Sequence, residues 1–162
     1  MARRVRAPVV IGLISDTHGL VRPSVHEALA GVSAILHAGD VGPPMVLYEL
    51  GTIAPVHAVW GNTDERYNPL RAACVHAVGT VRIHVSHGHE LGSPTPEGLL
   101  AVYDDDVLVY GHTHRALVAR AEGRLVVNPG AAGPRRFDLK PSVARLTVTG
   151  PKVDVEIIEL DD

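Results

Sequence analysis

Short apolar runs rich in valine and isoleucine recur along the chain, each bounded by glycine or a polar residue, as expected of strands buried on at least one face. Five of them set a framework, at residues 9–14, 34–36, 55–60, 81–85 and 107–110. Between the first two, Ser24 followed by Glu27 and closed by Gly31 predicts a short capped helix over residues 24–31. Residues 43–50 and 96–102, each opened by a proline, predict two more. Strands alternating with helices argue for an α/β unit. The C-terminal half changes character. Residues 74–85 alternate about Gly79, residues 117–121 and 125–127 flank Glu122-Gly123-Arg124, and residues 143–148 and 153–158 flank Gly150-Pro151, so hairpins and a mostly β half are expected. No linker, repeat or low-complexity segment divides the chain, and a single domain over residues 1–162 is the expectation.

Composition changes this picture little until the histidines are counted. An apolar fraction of 46% in 162 residues is enough for a core without a disulfide. A net charge of -3 offers no broadly basic surface, so no stable nucleic-acid partner is expected. Cys74 is the single cysteine and cannot form an intrachain bridge, which suits a reducing cytoplasm. The apolar run that begins at Val9 is too short for an export signal, and no stretch approaches the ~20 apolar residues of a membrane span. A cytoplasmic location is the expectation. Aromatic residues are scarce at 4%, whereas histidines number ten, and where they fall matters most.

Each framework strand ends within a residue or two of a group able to ligate a metal: Asp16, Asp40, Asn62, His87 and His112. In open α/β sheets the strand ends converge on one crevice, so residues distant in sequence can face a common centre. Three of these positions are doubled at a spacing of two, as Asp16-Thr17-His18, His87-Gly88-His89 and His112-Thr113-His114. In extended chain, residues two apart face the same side, so each pair can present two ligands while Thr17 or Thr113 faces away. One ion usually takes three or four protein ligands. The seven candidates Asp16, His18, Asp40, Asn62, His87, His112 and His114 therefore suit two ions, with Asp40 as the natural bridge. The donor set is nitrogen and oxygen without thiolate. Two divalent ions are expected, and manganese, iron, zinc, cobalt and nickel all suit these donors.

Asp16-Thr17-His18, Gly39-Asp40, Gly61-Asn62-Thr63-Asp64, His87-Gly88-His89 and Gly111-His112-Thr113-His114 together resemble the ordered signature of the calcineurin-like metallophosphoesterases. The resemblance runs from about Val9 to the Asn128-Pro129-Gly130 turn, and the length is similar to that of the small bacterial phosphodiesterase branch. It implies an α/β (α+β) fold, a four-layer αββα sandwich of two mixed sheets flanked by helices. It further implies that Asp16, His18, Asp40 and His114 hold one ion, and Asp40, Asn62, His87 and His112 the other. The chemistry expected is hydrolysis of a small phosphate ester, by in-line attack of a hydroxide formed where the pKa of water falls from ~15.7 toward ~7. A phosphodiester is the first expectation. A phosphomonoester or a phosphoprotein is an alternative, and so is a non-catalytic metal-binding scaffold of the kind found in one retromer subunit.

One departure bears on mechanism. Many members carry histidine after the asparagine of the Gly-Asn motif, where it assists the leaving group, and here that residue is Thr63. Threonine cannot serve as a general acid near neutral pH. His89 is the candidate substitute, as a catalytic and substrate-binding residue beside Asn62, and Asp64 is placed with the catalytic residues as one that orients its neighbours. His37, just ahead of Asp40, is a candidate support. His26, His57, His76 and His84 read as packing or solvent-facing residues, Arg135-Arg136 as a solvated pair and Asp104-Asp105-Asp106 as a solvated turn. Sheet edges near the C-terminus leave pairing with another copy open.

Overall fold

The computed structural model describes residues 7–136 and 138–161. In chain order its elements are β1 (Val9–Ile14), α1 (Pro23–Ala28), β2 (Ala34–His37), α2 (Met45–Gly51), β3 (Val56–Ala58), β4 (Ala73–Val78), β5 (Val81–Ser86), α3 (Pro96–Val102), β6 (Val107–Val109), β7 (Leu117–Ala121), β8 (Arg124–Asn128), β9 (Ser142–Thr149) and β10 (Lys152–Glu159). They build two five-stranded sheets, ordered β10-β9-β1-β2-β3 and β4-β5-β6-β8-β7. In the first, β1, β2 and β3 are parallel, and β9 joins β1 antiparallel. In the second, β5, β6 and β8 are parallel between antiparallel edges.

Alternation decides which side of each sheet a residue serves. Ile11, Leu13 and Leu36 point from the first sheet into the interlayer, where they meet Ile83, Val85, Val109 and Val127 of the second. The opposite face of the first sheet carries Ile14 and Ile35 against Val25 and Leu29 of the α1 segment and Val46 and Leu50 of α2. Leu99 of α3 covers Leu108 and Val126 on the outer face of the second sheet. Burying one such Leu, Ile or Val side chain stabilises by roughly 1.5–3 kcal/mol, and the three clusters together hold the αββα layers in the order the resemblance implied. Among the described residues no helix is long and apolar enough to cross a membrane.

Several local expectations shift. The helix predicted over residues 24–31 starts at Pro23, with Arg22 as the residue before the first turn and no side-chain cap. Proline has no N–H to satisfy and a helical φ, so it can occupy the first turn itself, and the Ser24 hydroxyl donates to the Asp161 carbonyl at 2.9 Å instead of capping. The 55–60 run leaves the sheet after Ala58, and the Trp60 N–H goes to the Arg71 carbonyl at 2.9 Å. The acidic turn is not merely solvated. Asp105 accepts from Arg82 Nε at 3.1 Å, and Asp106 from the Arg82 N–H at 2.9 Å, which ties the turn to β5.

Candidate metal centre

The C-terminal ends of β1, β2, β3, β5 and β6 open on one crevice because these strands run parallel within their sheets and the sheets stack face to face. Asp16, His18, Asp40, Asn62, His87, His112 and His114 all meet there. His87 Nε2 lies 3.3 Å from Asp40 Oδ2 and 3.9 Å from Asp16 Oδ1. His114 Nε2 lies 3.3 Å from Asp16 Oδ1, and His18 Nε2 lies 3.7 Å from Asp40 Oδ2. Asn62 Oδ1 stands between His87 Nε2 at 3.0 Å and His112 Nδ1 at 3.1 Å. Asp16, Asp40 and His87 are buried, whereas His18, Asn62 and His112 form a more open rim.

The backbone that achieves this is not the extended chain expected. Asp16, His18, Asp40, His112 and His114 all have positive φ, between 45° and 70°. Aspartate and histidine tolerate this left-handed region better than most residues, and each turn redirects the chain so that both members of a pair still face the crevice. Thr17 does not simply face away. Its hydroxyl donates to the Val41 carbonyl at 2.7 Å and lies 3.0 Å from His37 Nε2. Since that hydroxyl has only one proton, His37 must be the donor to Thr17, and His37 Nδ1 accepts from the Gly39 N–H at 3.1 Å. His37 is thus a neutral, fully buried strut between the Asp16 and Asp40 loops, its pKa pushed down to about 4 by burial despite the opposing charges of Asp16 and Asp64.

The donors and acceptors around the crevice leave a position that only a cation fills well. His87 Nδ1 donates to the Ala38 carbonyl at 2.8 Å, so the lone pair of a neutral His87 Nε2 would face Asp40 Oδ2 and Asn62 Oδ1, three acceptors converging. Without an ion, a proton fills that position. Burial opposes it, yet the hydrogen bond to Asp40 and the charges of Asp16 and Asp40 raise the His87 pKa. Burial likewise opposes ionisation of Asp40, but its contacts with His87 and Thr63 hold the carboxyl well below the usual range. Asp16 Oδ1 and His18 Nε2 are buried with no hydrogen-bond partner, although such groups are normally satisfied. Among the described residues two three-residue groups bring ligand atoms within 4.8 Å of one another, Asp16-His18-His114 and Asp16-Asp40-His87. The donor set therefore fits divalent metal. Asp16 belongs to both groups, and Asp40 reaches His18 as well as His87, so both aspartates stand between the halves of the centre.

Supporting residues fix this arrangement. Both oxygens of Asp64 are engaged by backbone, accepting from Val41, Gly42 and Gly61 N–H at 2.8–3.0 Å, so it clasps two ligand loops from behind. Gly111 and Gly61 leave room for the ligands, since a Cβ on either would overlap Asp16 with Ser15, or Asp40. The Gly88 φ of 102° turns the chain into a 3-10 turn over His89–Leu91, which places the His89 ring 5.3 Å from that of His87 and 6.4 Å from that of His112. Asn128 was not singled out from sequence. Buried at the end of β8, it donates to the Gly111 carbonyl and to Thr113 Oγ1, each at 3.1 Å, and steadies the His112–His114 loop. The Asn-Pro-Gly turn around it was the available signal. Arg135 and Arg136 are exposed, and His26 pairs with Glu49 on the surface at 3.0 Å.

Comparison with known proteins points to one family. The chain is 37% identical over 160 residues to a probable metallophosphoesterase of Methanothermobacter thermautotrophicus, covering 93% of this chain and 92% of that one. It is 27% identical over 142 residues to a phosphodiesterase of Methanocaldococcus jannaschii, covering 74% and 82%. Among solved structures, vacuolar protein sorting 29 from Cryptosporidium parvum superposes with a TM-score of 0.81 at 25% identity, covering 96% of this chain and 99% of that one. Residues 9–150 match the calcineurin-like phosphoesterase superfamily domain, a span that includes every candidate ligand of the crevice, and the chain belongs to that superfamily.

Proposed function

We propose that this protein is a dinuclear metal-dependent phosphodiesterase. The observation that carries the reading is the convergence of acceptor atoms at the strand ends, His87 Nε2 with Asp40 Oδ2 and Asn62 Oδ1, together with the unpartnered Asp16 Oδ1 beside His18 and His114. Asp16, His18, Asp40 and His114 would hold one divalent ion, manganese first, and Asp40, Asn62, His87 and His112 the other. Such ions supply an acidified water and neutralise charge on the phosphoryl oxygens.

The remaining steps belong to the chain. Asp64 and His37 keep the ligand loops at fixed separation, which matters because phosphoryl transfer depends on positioning and electrostatics. His89, on the rim beside His87 and His112, would hydrogen-bond a phosphoryl oxygen and pass a proton to the leaving alkoxide, a role its ring's nearness to theirs supports. Thr63 cannot perform that protonation, and esters with good leaving groups should react fastest. A phosphodiester specificity is in keeping with the name of the Methanocaldococcus relative.

Metal-stripped protein resupplied with manganese, assayed on bis(4-nitrophenyl) phosphate and 4-nitrophenyl phosphate beside Asp40→Asn, tests this. Diester hydrolysis that requires metal and is lost in the variant is expected. Bound metal with no hydrolysis of either ester would favour the second reading, a metal-binding interaction module, which the close superposition on vacuolar protein sorting 29 and the missing histidine at Thr63 support.

A further inference from the structure

A groove adjoins the metal centre at Thr63, the residue that follows Asn62. It begins as a cavity of about 400 Å³ lined by Gly42, Pro43, Pro44, Thr63, Glu65 and Tyr67. A second cavity of about 240 Å³ shares Pro44 and Tyr67 and continues over Leu47 and Tyr48. At the end of the groove nearest the metal centre the Thr63 N–H donates to Asp40 Oδ1 at 3.0 Å, and Gly42 packs on the backbone of His18 and Gly19. Its wall is fixed because the Tyr67 hydroxyl donates to the Gly42 carbonyl at 2.8 Å. Tyr48, on α2, is 77% exposed where it borders the second cavity.

Its charge is as informative as its shape. Asp64 has both oxygens committed to backbone N–H groups, Glu65 is exposed, and no lysine or arginine lines either cavity. Arg66 lies over the Trp60 ring, 4.7 Å from its centre. A second phosphate would meet carboxylates, neutral polar groups and apolar surface here, with no cation to offset its charge. Planar apolar groups would meet two proline rings and two tyrosines. Thr63 also leaves the mouth open, where the histidine of the family pattern would stand as a ring.

We infer that this groove seats an uncharged aromatic group of the ester substrate, over Pro43, Pro44 and Tyr67, with the phosphate at the metal centre. The inference rests on the phosphodiesterase reading and gives it a substrate class: monoanionic diesters with a neutral aromatic substituent, not nucleoside polyphosphates.

The test separates binding from turnover. Phenylphosphonate and methylphosphonate share a head group and are not hydrolysed, and their affinities for zinc-loaded protein can be measured by calorimetry and by NMR shifts of the tyrosine rings. Phenylphosphonate is expected to bind at least tenfold tighter, with Tyr48 and Tyr67 signals moving, and the ratio to fall toward one in Tyr67→Ser and to shrink in the surface variant Tyr48→Ser. Equal affinities in the wild type would overturn the groove while leaving diester hydrolysis intact. No hydrolysis together with a retained preference would overturn the enzymatic reading and keep the groove as an aromatic site. Concentration-dependent dimerisation abolished by Tyr48→Ser, without any phosphonate preference, would assign the surface to a second copy and overturn the inference.

Discussion

Lowering the pH should destabilise the metal-free fold through His37 by an amount the structure allows to be worked out. The ring is fully buried in a single tautomer, donating from Nε2 to Thr17 and accepting at Nδ1 from Gly39. Protonation would place a second N–H against the Gly39 donor with no acceptor available, which agrees in direction with a pKa pushed by burial from 6.5 to about 4. Because the folded value is the lower one, the unfolded chain takes up the proton first. The contribution is therefore fully present above pH 6.5 and is lost as pH falls toward 4. At about 1.4 kcal/mol per unit, it loses about 2 kcal/mol by pH 5 and about 3 kcal/mol by pH 4. Urea unfolding of wild type and His37→Gln in chelator, at pH 7.5, 6, 5 and 4, measures it. The variant will be less stable at pH 7.5, having lost a strut, but the gap should narrow by these amounts on acidification, since the other titrating groups are common to both proteins. A gap independent of pH, or a His37 resonance titrating near 6.5, would refute the reasoning.

In Gly111→Ala the new methyl group would lie 2.6 Å from Asp16 Oδ2, and displacement of that carboxylate should weaken manganese binding by about 10–100-fold in calorimetry, an outcome that unchanged affinity would contradict. Asp64→Asn offers one carbonyl oxygen to three backbone donors, so a loss of about 1–3 kcal/mol in chemical denaturation is expected; full stability would show that the clasp is dispensable. Thr63→His should raise turnover of diesters with poor leaving groups by about a hundredfold while changing 4-nitrophenyl esters little, and a uniform effect across leaving groups would argue against a missing acid. Manganese must displace the proton held by His87, so affinity should rise as pH is raised through its elevated pKa, and binding that takes up no base in a pH-stat would count against that proton.

What was legible in the sequence was whatever depends on side-chain identity and period. Val9–Ile14 and Val81–Ser86 could be placed because interlayer residues such as Ile11, Leu13, Ile83 and Val85 must alternate or run together to fill a core between sheets. The seven candidate ligands could be picked out because polar residues directly after such runs have few structural reasons to be there. Backbone conformation was not legible. Asp16-Thr17-His18 reads equally well as extended chain, and only the pairing of loops makes φ positive at Asp16 and His18. The contacts of the supporting network stayed hidden for a related reason, although His37 and Asp64 could be singled out as supports. Asn128, Thr17 and His37 act on groups 15 to 24 residues away, through contacts that exist only once both sheets have formed.

The left-handed ligands are best understood through the loops that hold them. A non-glycine residue in this region costs roughly 1–2 kcal/mol, and five ligands adopt it. In an isolated loop that cost would be relieved by relaxation. Here the Asp16 and His18 N–H groups donate to the Gly39 and Asp40 carbonyls at 2.9 and 3.0 Å, and Gly19 to Val41 at 2.9 Å, so the β1 loop continues its strand's pairing with the β2 loop beyond the sheet. Relaxing one residue would leave several buried N–H and carbonyl groups unpaired, each at about 1–3 kcal/mol, which exceeds the gain. The strain is therefore maintained by the sheet through continued pairing, and does not depend on an ion. It follows that Asp16, His18 and Asp40 are held in these conformations by the paired loops themselves, and that metal affinity and fold stability can be altered separately: by substitutions that move a carboxylate, as at Gly111, and by substitutions that unpair the loops, as at Asp64.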